Sequence, residues 1–119
     1  MLLYFSPMQQ NLVGQLFSVG ALGDFRIVKV LAQDPGIIHL RSYANRFTER
    51  PVTLDGVTLS LGANYDGIGH FPLAEQGFAH MAPLYLATEA VDENELEGYH
   101  IWREAWEAGE AGVYASDPS

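Results

Sequence analysis

Four histidines, His39, His70, His80 and His100, are the side chains in this chain best suited to proton transfer or metal binding. None of them falls in an HExxH or HxH pair, so no local metal motif is written along the sequence. His70 closes the stretch GANYDGIGH, four residues after Asp66. In a glycine-rich loop that spacing brings no pair onto one helical face. Asp66, His70 and His80 could still converge in space, with Asp55 or Glu75 completing an N/O site of zinc or manganese type. Such a site would activate water, and the protein would be a small metal-dependent hydrolase. The competing reading is structural: His70 and His80 partly buried and hydrogen-bonded to backbone.

Other chemistry finds little support. The chain has no cysteine, which excludes thiolate ligands, cysteine nucleophiles and disulfides and suits a reducing cytoplasm. None of its serines lies in a Gly-x-Ser-x-Gly elbow. Gly62, Gly67 and Gly69 precede no Lys-Ser/Thr pair, so no phosphate loop is formed. The balance favours a non-enzymatic role with no cofactor.

A second group of residues could act by contact. Tyr99, Trp102 and Trp106 recur near helical spacing, and Ile101 falls toward the acidic side of the same helix. A core stripe is the ordinary role for such residues. An exposed Trp or Ile would instead anchor a partner or a second copy, giving a homodimer.

Charge narrows the partner. Residues 1–50 hold five basic side chains against three acidic ones, and residues 51–119 hold one, Arg103, against twelve. The net charge is −9. That balance argues against nucleic-acid and anionic-membrane binding and leaves a basic protein as the fitting partner. No apolar run approaches the length of a membrane span, and residues 2–5 are too short for a signal-peptide core, so a cytoplasmic location is expected.

The elements that must hold these residues are organised around residues 24–43, DFRIVKVLAQDPGIIHLRSY. They read as two strands joined at Asp34-Pro35-Gly36, where Pro presets φ and Gly accepts φ > 0. Apolar residues of both parities, Ile27 with Val28 and Val30 with Leu31, imply a strand covered on both sides or a bulge near Ile27-Val28. Residues 15–19 precede them as a further strand. Residues 52–61, VTLDGVTLSL, alternate around Asp55-Gly56 and read as one or two short strands. Residues 73–81 suggest a short helix stopped by Pro83, residues 83–88 are extended, and Val113-Tyr114 could add a last strand. Asp92 and Glu95 have capping-box spacing ahead of a helix over about residues 93–108, ended by Gly109 and Gly112.

The expected fold is α+β and a single domain: a lead-in (1–14), a strongly bent antiparallel sheet or small SH3-like β-barrel (15–61), a Gly-rich loop (62–72), a helical part (73–109) whose amphipathic helix packs on the sheet, and a tail (110–119). Three segments, IVKVLAQDPGIIHLRSYANRFTERP, IGHFPL and PLYLATEAVDENELEGYHIWREA, resemble a family of short uncharacterised bacterial proteins. That resemblance implies a stand-alone cytosolic domain and assigns no catalytic residue. In size, charge and element order the chain is also similar to immunity proteins that neutralise secreted bacterial toxins. The reading at this level is therefore a small acidic protein-binding module, with the metal-dependent hydrolase as the alternative.

Overall fold

A computed structural model describes residues 10–64 and 66–118. Its fold is α+β. Strands β1 (Gln15–Ala21), β2 (Asp24–Asp34), β3 (Ile37–Ser42), β4 (Ile68–Ala74) and β5 (Leu84–Thr88) join helices α1 (Glu75–His80) and α2 (Glu97–Glu107). All strand pairings are antiparallel, in the order β4-β3-β2-β1-β5. The sheet is open, with β4 and β5 at opposite ends, so the barrel alternative is not realised among the described residues. No helix is long and apolar enough to cross a membrane.

The central hairpin forms as its residue types require. Asp34 pairs with Ile37 across the turn, and Gly36 takes φ +75°. The two-sided apolar pattern of β2 also has its physical cause, since both faces of the sheet are covered. On one face Phe17, Val19, Val28, Val30, Leu40, Phe71 and Leu73 pack beneath Phe78 and Met81, with Leu12 joining from the lead-in. On the other, Leu16, Ile27 and Tyr43 pack beneath Phe47, Leu54, Leu59 and Leu61. At roughly 25 cal/mol per Å2 of apolar surface, each such buried side chain contributes about 1.5–3 kcal/mol.

Several boundaries differ from the sequence expectation. Residues 52–61 form no strand: Asp55-Gly56 makes a turn, with Val57 N donating to the Leu54 carbonyl at 3.0 Å, but the segment lies across the sheet face as an apolar cover. Half of the expected Gly-rich loop is strand β4. Residues 83–88 do supply an edge strand, β5. Val113-Tyr114 is reduced to a single parallel bridge, Leu73 with Tyr114. Two backbone hydrogen bonds nonetheless hold that segment against β4, from Ala74 N to the Tyr114 carbonyl and from Tyr114 N to the Pro72 carbonyl.

The capping box is present and reciprocal. Glu95 N donates to Asp92 Oδ1 at 2.9 Å, and Asp92 N donates to Glu95 Oε1 at 3.1 Å. It opens a turn over residues 93–96, and regular helix starts only at Glu97. Glu95 has a second task that delays the helix: its Oε1 also receives Lys29 Nζ at 3.0 Å.

Candidate functional site

The side chains that come together on the second face are Asp34, His39, His70, Tyr99, Trp102 and Arg103. Two register shifts help to place them. Val30 pairs with Leu40 and Ala32 with His39, so Leu31 is an extra residue in β2. Val28 and Val30 belong to the first face, and unbroken alternation would send Asp34 there too. The bulge at Leu31 turns Asp34 to the side of His39. Leu40 pairs with Phe71 and Ser42 with Ile68, so Gly69 and His70 both stand opposite Arg41. This second bulge frees His70 from the regular ladder, beside His39.

Helix α2 closes over this row. Tyr99, Trp102 and Arg103 stand at i, i+3 and i+4, on one helical face. Gly98 lets the helix approach: a Cβ there would lie 2.8 Å from His70 Cβ. Trp102 is 8% exposed, and its Nε1 donates to the Gly112 carbonyl at 2.8 Å. The His39 ring meets Tyr99 and Trp102 edge-on, each at a centroid distance of 4.6 Å.

The polar contacts form a chain. Asp34 accepts from His39 Nε2 at 2.9 Å, from the Tyr99 hydroxyl at 3.1 Å and from Arg103 Nη1 at 2.9 Å. His39 Nδ1 lies 2.9 Å from His70 Nε2. A carboxylate can only accept, so His39 Nε2 carries the proton that it shares with Asp34. Neutral His39 then offers a lone pair at Nδ1, and His70 Nε2 must donate to it. That leaves His70 Nδ1 as an acceptor. Burial holds both imidazoles neutral. It lowers the His39 pKa against the opposing effect of Asp34, and, with His39 adding to it, lowers that of His70 to about 4. Burial, with Asp34 beside it, raises the Tyr99 pKa. A proton could pass along Asp34–His39–His70, but no serine or threonine appears in these contacts to serve as a nucleophile.

His70 borders two openings. A groove of about 480 Å3 runs between it, Pro72, Trp102 and residues 111–114. A smaller cavity of about 310 Å3 is lined by Arg41, Gly69, His70, Asn94, Glu97, Gly98 and Ile101.

The residues proposed from sequence are distributed as follows. His70 belongs to the buried chain. His80 is exposed on the far side and lines a separate cavity with Arg26 and Asp117. Asp66 packs beside Gly62. Among the described residues no group of three or more His, Asp or Glu is arranged to hold a metal ion. Tyr99 and Trp102 face inward, whereas Trp106 is 41% and Ile101 65% exposed. Trp106 stacks on Trp102 at 5.0 Å. Asp34, His39 and Arg103 were not singled out as site residues by sequence. Their only signals were a buried histidine in an apolar strand and a lone cation on an acidic helix.

Close packing at Gly98 sets an expected outcome. Glycine to alanine inside a helix ordinarily stabilises by up to about 1 kcal/mol. Here the added methyl meets His70 Cβ, so Gly98→Ala is expected to destabilise by about 1–2 kcal/mol in urea unfolding. A stabilised variant would show that α2 does not depend on this approach.

No family model, no curated protein and no solved structure matches the chain.

Proposed function

We propose that this chain is a non-enzymatic binding module for a basic protein partner, with the outer face of α2 as the contact surface. The observation that carries this reading is Trp106: a large indole, 41% exposed, on an acidic helix and braced from below by the buried Trp102. A rigid aromatic anchor with a supported ring is the usual centre of a protein interface. Its neighbours Glu104 and Glu110, and Glu97 a little over two turns before it, take part in no ion pair among the described residues. An Arg or Lys side chain laid over the indole would gain a cation–π contact and a surrounding negative field. Neutralising a basic secreted toxin inside the cytoplasm is one concrete form of this role. The proton-relay geometry supports a hydrolase less well, since it lacks both a nucleophile and a metal cluster.

An octa-arginine peptide serves as the probe, with octa-glutamate as its control. Octa-arginine is expected to quench Trp106 fluorescence saturably, with affinity falling as salt rises from about 0.05 to 0.2 M. Trp106→Ala is expected to weaken binding about 5- to 30-fold, equivalent to roughly 1–2 kcal/mol. Equal binding of octa-glutamate, or an unchanged affinity in Trp106→Ala, would overturn the assignment.

A further inference from the structure

The smaller cavity beside His70 presents three recognition groups of different kinds. Arg41 brings a cation; its Nε donates to the Gly69 carbonyl at 3.1 Å, which orients the guanidinium at the cavity wall. Glu97 brings an anion to the same cavity. The two do not pair with each other, and neither takes part in any other ion pair among the described residues. His70 brings a neutral acceptor. Its Nε2 is committed to His39, so its remaining nitrogen, Nδ1, offers a lone pair, and the Nδ1 edge lies against Gly98, itself part of the cavity lining. Asn94 adds an amide, and Ile101 an apolar side. The volume of about 310 Å3 is at the low end of the roughly 300–1,000 Å3 typical of ligand sites.

A cation and an anion held apart in one small cavity, beside a histidine restricted to accepting, are complementary to a ligand with the reverse pattern. We propose that this cavity binds a small zwitterion of the α-amino-acid class, its carboxylate on Arg41 and its ammonium shared between Glu97 and His70. Arginine suits the carboxylate because its planar fork can give two parallel hydrogen bonds. Asp34 has an indirect part as a positioning residue: by accepting from His39 it fixes the tautomers of both rings. The site is separate from the Trp106 surface and does not depend on the basic-partner reading.

The test is a nitrogen-15 NMR titration of the full chain with each standard amino acid in turn. The tightest binder is then repeated as its methyl ester, which lacks the carboxylate, and as its N-acetyl form, which lacks the ammonium. At least one amino acid is expected to saturate shifts at His70 Nδ1 and at the Gly69 and Gly98 amides. Both blocked forms, and the variants Arg41→Gln and Glu97→Gln, are expected to bind at least about tenfold more weakly, the equivalent of 1.4 kcal/mol. Glu97 is exposed, so Glu97→Gln keeps the fold and isolates the charge. No His70 shift with any amino acid up to about 10 mM would overturn the proposal. So would blocked forms that bind as well as the parent, or an unchanged affinity in Glu97→Gln.

Discussion

Glu95→Ala is expected to cost about 3–5 kcal/mol, the largest loss from any single carboxylate in the chain. The reason is Lys29. Its side chain is 3% exposed, inside the sheet face, and its ammonium is held by Glu95 at 3.0 Å and the Ala90 carbonyl at 2.9 Å. Removing the carboxylate leaves a buried cation facing one neutral oxygen. It also removes half of the capping box, worth about a further 1 kcal/mol. Against a typical total stability of 5–15 kcal/mol, the variant would be close to unfolding at physiological temperature. Adding Lys29→Met should recover much of the loss, because an apolar side chain of similar length has no charge to satisfy. Urea unfolding of both variants measures this. A loss below about 1 kcal/mol would mean that water reaches Lys29 and the pair behaves as an exposed one. Tyr43 provides an independent readout. Burial, with Glu95 next in importance, raises its pKa to about 12, so the Tyr43 titration in Glu95→Ala is expected to shift down toward 10.

Acid is expected to weaken the fold through the histidine chain. In the unfolded chain His70 titrates near 6.5, and in the folded protein near 4. Above pH 6.5 it is neutral in both states and favours neither. As pH falls from 6.5 to about 4 the unfolded chain takes up the proton and the folded one resists it, so stability drops across that window and levels off below it. The displacement sets a ceiling of about 3 kcal/mol at roughly 1.4 kcal/mol per pH unit. Solvent still reaches part of the ring, so about 2 kcal/mol is the expected loss. His39 acts in the same direction, since burial lowers its pKa as well. His70→Gln can keep the donor to His39 without the titration. Its stability should therefore fall less steeply than wild type between pH 6.5 and 4. Parallel curves for the two proteins would show that His70 does not titrate in this way.

The parts of the fold that were legible in the sequence are those decided by local chemistry. Pro35-Gly36 announced the central turn, Asp92 and Glu95 announced the cap, and the mixed parity of β2 announced cover on two sides. The site was hidden because it depends on where parity breaks. A bulge was expected near Ile27-Val28 but lies at Leu31, and that difference of a few residues decides which face receives Asp34. Nothing in the side chains of Val30, Leu31 or Ala32 marks the position, because an unpaired residue in an apolar run looks like any other. Residues 52–61 misled for a related reason. Leu54, Leu59 and Leu61 do face the core, as the alternation implied. The side chain of Asn45, however, takes the place of a neighbouring strand: its Nδ2 donates to the Thr58 carbonyl and its Oδ1 accepts from Ser60 N. Alternation reports burial of one side and does not specify what the backbone bonds to.

The position of β5 has a consequence for the order of assembly. The first three strands are joined by tight turns, and their pairings close short loops. The β1–β5 seam instead joins Gln15 to Thr88, across most of the chain. Closing a long loop costs entropy before its contacts repay it, so β5 should dock after the β1–β3 meander and be the first strand to detach. Amide protons bonded across the β1–β5 seam should accordingly exchange through a cheaper opening than those between β2 and β3. During synthesis the meander is complete well before β5 emerges. For that interval the edge of β1 stands open, and a neighbouring nascent chain could pair with it.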